Sequence, residues 1–148
     1  MKMGIGNDHS AVEYKSIIKK HIEDKYGFEV VDFGAYSSDP SNYAIYGEKV
    51  ANAIKNKEVD LGIAICGTGI GISLACNKVK GIRCAVCSEP LSARLSRLHN
   101  NANIIAFGAR IVGIEMAKEI VDTFLTTEFE GGRHLERIAY LKQIEDKN

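Results

Sequence analysis

The chain has 148 residues, and its 19 lysines and arginines balance 19 aspartates and glutamates, so it carries no formal net charge at neutral pH. That length suits one domain, and the balanced charge supplies no global field to draw the chain onto nucleic acid. No run approaches the roughly 20 apolar residues of a membrane helix, and Met1 to Ser10 lacks the apolar core of a signal peptide, so a cytoplasmic protein with a small-molecule partner is expected.

Along the chain, apolar strand patterns alternate with helical ones. MGIG (Met3 to Gly6) reads as a strand and Ala11 to Lys25 as a helix. FEVVDF (Phe28 to Phe33) is a second strand, followed by the loop SSDPSN (Ser37 to Asn42) and a helix over Tyr46 to Asn56. LGIAIC (Leu61 to Cys66), IRCAVC (Ile82 to Cys87) and NIIAFG (Asn103 to Gly108) read as further strands, each preceding a helix: Ile70 to Lys78, Pro90 to Leu98 and Gly113 to Leu125. Parallel crossovers are right-handed and need helices on both faces of the sheet. The repeated pattern therefore predicts a five-stranded parallel sheet in a three-layer α/β/α, Rossmann-like domain spanning residues 1–148.

The most chemical stretch is VDLGIAICGTGIGIS, residues 59–73. An apolar strand runs into Cys66, then into Gly67, Gly69 and Gly71, then into a helix start. Glycines at alternate positions let successive amides converge on one anion at a helix N-terminus. The spacing matches neither the dinucleotide fingerprint nor the Walker loop, which disfavours a nucleotide. A thiol at a strand end before such a turn has the setting of a reactive cysteine. The other thiols read differently. Cys84 and Cys87 sit in a strand pattern with no second pair to complete a zinc site, and Cys76 packs inside a helix.

Open α/β sheets bind ligands at the carboxyl ends of their strands. There this chain places Asn7, Asp8 and His9, then Cys66 and Thr68, then Ser88 and Glu89, then Gly108, Ala109 and Arg110. Singly, Asp8 is a helix cap and His9 a partner for a carbonyl; together, acid, imidazole, thiol and guanidinium read as a pocket. The tail adds RHLER, where Arg133, His134 and Arg137 are placed on one helix face and suit a phosphate. Leu135, Ile138, Leu141 and Ile144 form an apolar stripe on the same terminal helix, which is expected to reach a neighbouring subunit. His99 and Asn100, ending the fourth helix, are expected to face a neighbour too.

GNDH (6–9), CGTGIGIS (66–73), CSEP (87–90), LSRLHNNAN (95–103), FGARIVG (107–113) and EGGRHLERI (130–138) closely resemble the ribose-5-phosphate isomerase B family, which also contains allose- and galactose-6-phosphate isomerases. The resemblance covers nearly the whole chain. It implies reversible aldose–ketose isomerisation of D-ribose 5-phosphate and D-ribulose 5-phosphate, in the non-oxidative branch of the pentose phosphate pathway, without metal or cofactor. It also implies a homodimer or homotetramer with sites between subunits. By resemblance Cys66 is the base that moves a proton between C1 and C2, assisted by Thr68, and His99 opens the furanose ring with Asp8 nearby. His9, Arg110, Arg133, His134 and Arg137 surround the phosphate, Tyr43 and Asn100 touch the sugar, and the amides of Gly67, Gly69, Ile70 and Gly71 line the anion cradle. Asn7, Ala11 and Ala44 depart from the residues the resemblance leads one to expect, without removing a named group.

The chemistry is consistent with the residues. Removing a proton α to a carbonyl creates an enediolate, which needs a base and preorganised donors for the developing charge. The galactose enzymes of the family divide these elements between two chains, so their presence together here argues for a homo-oligomeric ribose enzyme. Six-carbon sugar phosphates are the alternative substrates. A non-catalytic sugar-phosphate sensor is the rival from another class, since it would use the phosphate cluster but not Cys66. A cysteine phosphatase is disfavoured, because GTGIGIS contains no arginine.

Overall fold

A computed structural model describes residues 1–148. Its strands are β1 (Lys2–Asn7), β2 (Glu29–Asp32), β3 (Leu61–Cys66), β4 (Cys84–Val86) and β5 (Ile104–Gly108). They form one all-parallel sheet in the order β2-β1-β3-β5-β4. The helices are α1 (Val12–Tyr26), α2 (Tyr43–Lys55), α3 (Ile70–Asn77), α4 (Pro90–Asn100), α5 (Ile114–Leu125) and α6 (His134–Lys147). The three-layer α/β/α architecture is the one expected from the alternating pattern.

Both faces of the sheet are covered, and for that reason the central strands are continuous apolar runs rather than alternating ones. Ile63, Ile65, Ile105 and Phe107 point to one face, where Ile18 and Ile22 of α1, Ala93 of α4 and Ile120, Val121 and Phe124 of α5 close over them. The other face carries smaller side chains, Ala64, Cys66 and Ala106, against Val50 and Ala51 of α2 and Ile72 and Cys76 of α3. Cys66 thus belongs to the lining of a tightly packed layer as well as to a strand end.

Local signals set the boundaries. Helix α2 begins three residues before the expected Tyr46 because the Asn42 side chain accepts the Ala44 N–H at 2.9 Å and caps a helix starting at Tyr43. Helix α1 stops where Gly27 adopts a left-handed φ of 68°. The expected strand over Ile82 to Cys87 contracts to an edge strand of three residues, Cys84–Val86. No helix is long and apolar enough to cross a membrane.

Strand order positions the site. From β1 the chain passes through α1 to β2 on one side, whereas from β3 it passes through α3 to β4 on the other. Connections that diverge from neighbouring strands leave a crevice above their carboxyl ends. That crevice lies between the residues after Asn7 and those after Cys66. At the opposite end, α6 leaves Leu135, Tyr140, Leu141 and Ile144 exposed. A cavity of about 400 Å³ separates Leu141 and Ile144 from Ile82 and Ala85, so the apolar stripe of α6 is not seated on its own sheet.

Candidate active site

At the carboxyl end of β3, Cys66 is 4% exposed and its Sγ accepts the Gly69 N–H at 3.1 Å. The turn from Cys66 into α3 is dictated by sterics. Gly69 has φ +80°, and a Cβ there would stand 2.6 Å from the Phe107 carbonyl carbon of β5. The Thr68 Oγ1 accepts the Ile70 N–H at 3.1 Å, a local bond within the turn that leads into α3, and the Thr68 side chain is exposed. A Cβ on Gly71 would meet the Tyr43 ring at 2.7 Å, so the bare backbone is what lets Tyr43 lie against the loop.

Two neighbouring loops close on this turn. Ala109 N–H donates to Cys66 O at 2.9 Å and Arg110 N–H to Gly67 O at 3.0 Å, locking the β5 exit to the glycine turn. The position of a Gly67 Cβ is 3.4 Å from Arg110 Nη1 and 3.7 Å from Ser10 Oγ, so guanidinium and hydroxyl flank the same glycine. From β1, buried Asp8 accepts from Ser10 through both its N–H (3.0 Å) and its Oγ–H (2.6 Å), which fixes its Oδ1 at the turn that leads into α1. The Ser41 N–H donates to His9 Nδ1 at 3.1 Å, and the His9 N–H donates to Ser41 Oγ at 3.0 Å. Because Nδ1 is occupied as an acceptor, the neutral ring carries its proton on Nε2. Asp8, His9, Tyr43, Cys66, Gly67, Thr68, Gly69, Ile70, Gly71 and Arg110 are therefore brought to one end of the sheet. Ser10 and Ser41 were not expected there. The Asp-x-Ser spacing was a local signal for Ser10, whereas Ser41 lies 32 residues from His9 and left none.

The remaining candidates, His99, Asn100, Arg133, His134 and Arg137, lie at the amino end of the same sheet. Helix α4 starts beyond the carboxyl end of β4 and returns to the start of β5, so its last residues, His99 and Asn100, reach the far edge. At roughly 3.3 Å per residue, β5 alone sets the two ends about 13 Å apart. The Glu130 N–H donates to Leu98 O at 3.1 Å and Arg97 Nε to Thr127 O at 3.1 Å, pinning the link before α6 across α4. This brings the His134 ring onto His99 with centroids 4.5 Å apart and planes 18° apart. His134 is 4% exposed, while Arg133 and Arg137 remain at the surface. Arg133 stands at the cap of α6 and His134 is the first helical residue, turned inward onto α4, with both arginines close enough to act on its ring. Burial, with Arg133 and His99 alongside, lowers the His134 pKa below its ordinary value. Elsewhere, burial beside Glu89 pushes the Cys87 thiol up to about 11, and Cys84 is raised by its contact with Cys76 and by burial, which suits packed thiols rather than reactive ones.

The arrangement offers a thiol, an acid, an imidazole and a guanidinium around an amide-lined turn, a set suited to proton transfer beside a developing oxyanion. Comparison with known proteins points the same way. The family model described as Ribose/Galactose Isomerase matches residues 3–141. Ribose-5-phosphate isomerase B of Escherichia coli (strain K12) is 49% identical over 146 residues, covering 99% of this chain and 97% of the relative. D-erythrulose-4-phosphate isomerase of Pectobacterium atrosepticum is 41% identical over 152 residues, covering 98% and 97%. The solved structure of Clostridium thermocellum ribose-5-phosphate isomerase B superposes with a TM-score of 0.98 at 50% identity, covering 99% of each chain.

Proposed function

The chain belongs to the ribose/galactose isomerase family, and we propose that it is an aldose–ketose isomerase that interconverts D-ribose 5-phosphate and D-ribulose 5-phosphate by proton transfer on Cys66. The observation that carries this reading is Cys66 at the mouth of β3, its sulfur held by the Gly69 N–H within a glycine-rich turn that leads into the N-terminus of α3. In the open-chain aldose the Cys66 thiolate takes the C2 proton, leaving an enediolate whose charge the amides of Gly67 to Gly71 offset. The same proton returns to C1 as hydrogen moves from O2 to O1, a transfer assigned to the assistance of the Thr68 hydroxyl. No redox partner, cofactor or metal enters the balance of this step.

Ring opening is assigned to His99, with Asp8 nearby, and phosphate binding to His9, Arg110, Arg133, His134 and Arg137. Tyr43 and Asn100 contact the sugar. These roles need both clusters in one site, yet within one chain they occupy opposite ends of the sheet. A homodimer or homotetramer resolves this, with the amino-end cluster of one subunit completing the carboxyl-end cluster of another. The exposed Leu135, Leu141 and Ile144 of α6 supply the apolar surface such docking needs. One domain carries the whole activity, acting on a small sugar phosphate in the cytoplasm.

Sugar length is the open variable, because one carbon changes pocket discrimination by only ~1–3 kcal/mol. The 41% identity to an enzyme named for a four-carbon substrate favours testing a shorter sugar beside a longer one. Initial rates on ribose 5-phosphate, erythrulose 4-phosphate and allose 6-phosphate with one enzyme preparation decide the matter. The largest kcat/KM is expected for ribose 5-phosphate. A larger value for either of the others would reassign the substrate, and tight binding of all three with no turnover would make the protein a sensor.

A further inference from the structure

The isomerisation proposed above uses His99 and His134 but not the third donor beside them. The Glu130 backbone is held to Leu98 O, and one carboxylate oxygen of Glu130 and one ring nitrogen from each histidine all lie within 4.8 Å of one another. A second observation is independent of that grouping. His134 is 4% exposed, and its Nε2 is buried with no hydrogen-bond partner. Buried polar atoms are almost always paired, so an orphaned nitrogen on an imidazole that is grouped with two other donors marks a ring that a ligand completes.

We infer that His99, His134 and Glu130 bind a divalent cation of the zinc class, and that the ion inhibits the isomerase by occupying His99. The inhibitory half rests on the proposed role of His99; the binding half does not. Two imidazoles and a carboxylate, with a fourth position open to water, form a ligand set that zinc accepts, and imidazoles select zinc, copper or nickel over magnesium or calcium. Around a tetrahedral ion at ~2.0–2.2 Å, ligand atoms stand roughly 3.4 Å apart, so the donors must close by about an ångström. Glu130 is exposed, and its side chain is free to make that movement. Arg133, Arg137 and the positive N-terminus of α6 oppose a cation here. Their repulsion keeps the ion exchangeable, which suits an inhibitory site and not a structural one.

Binding is tested on metal-stripped, full-length protein carrying Cys66→Ala, which removes the reactive thiol as a rival ligand. Calorimetry with Zn²⁺ and visible absorption with Co²⁺ should both give one ion per chain, with no uptake of Mg²⁺. Adding His134→Asn should abolish binding, and adding Glu130→Gln should weaken it about tenfold or more. Because Glu130 is a surface residue, its variant keeps the test clear of folding defects; an unchanged affinity in Glu130→Gln overturns the site. With Cys66 restored, Glu130→Gln should match wild-type activity in chelator and should need at least about tenfold more Zn²⁺ for half-inhibition. Equal inhibition of both proteins would locate the effect at another ligand, such as Cys66, and overturn the inhibitory half. One ion bound as described by a protein that turns over no sugar phosphate would sink the isomerase reading and leave the metal site standing.

Discussion

The Gly69 N–H donates to the Cys66 Sγ across 3.1 Å, three residues along the same turn. A thiol that takes part in its own loop's hydrogen bonding has a fixed direction. The amides that would stabilise an enediolate belong to that loop as well, so base and oxyanion donors are positioned by one backbone conformation. Preorganisation of this kind lowers the barrier without reorganisation during the reaction.

If Cys66 is the base, Cys66→Ala should lower kcat by something like 10²- to 10⁴-fold while leaving KM close to wild type, since the phosphate contacts remain. Steady-state kinetics on ribose 5-phosphate read this directly. Wild-type turnover in the variant would remove Cys66 from the mechanism. Activity should also survive prolonged dialysis against a chelator, and loss restored by a divalent ion would contradict a metal-free proton transfer.

The turn itself is the second target. Gly69→Ala forces a side chain into φ +80° and within 2.6 Å of the Phe107 backbone, which cannot yield as a flexible side chain would. A cost of about 1–3 kcal/mol in unfolding free energy is expected, together with a fall in kcat because the Cys66 donor moves. Gly113→Ser is the control, since Gly113 has φ −69° and nothing within 4 Å of its missing Cβ; its effect should stay within about 0.5 kcal/mol. Equal urea midpoints for the two variants would mean that the turn tolerates a side chain.

These relationships were unequally legible in the sequence. The strand, the glycine turn and the helix over residues 59–77 follow from local chemistry, because periodicity, backbone freedom and capping act over a few residues. The pairing of His9 with Ser41 does not, since it joins two loops that only the sheet brings together. Nor does the inward turn of His134. Helical spacing places it beside Arg133 and Arg137, but which side of α6 meets α4 is decided by the pinned link at Thr127 and Glu130. Sequence likewise gives no account of which end of the sheet each cluster occupies until the connections of α4 and β5 are known.

Burial of His134 makes stability depend on pH in a definite direction. Its folded pKa lies below the ordinary 6.5, so in the unfolded chain the imidazole takes up a proton first. Stability from this residue is therefore complete above about pH 6.5 and declines as pH falls from there towards the folded value. His134→Gln removes the titration. The gap between wild-type and variant urea midpoints should narrow or reverse from pH 7.5 to pH 5.5, whereas parallel curves would show that His134 is as easily protonated folded as unfolded.

The last prediction concerns the shared site and follows from the separation of the two clusters. Cys66 terminates a central strand, while Arg137 lies on α6 at the other end of the sheet, so the proposed mechanism requires them to meet across a subunit boundary. Cys66→Ala and Arg137→Ala homo-oligomers should each be nearly inactive, the first for want of a base and the second for want of a phosphate contact. In a hybrid dimer, one site collects both lesions and the other collects neither. Equal mixing with free exchange makes half of the dimers hybrid, so about a quarter of all sites should be intact and a corresponding share of wild-type activity should return. Native mass spectrometry establishes that exchange has occurred. Hybrids that form and stay inactive would place both residues in the same chain's site, and the subunit arrangement proposed here would have to be abandoned.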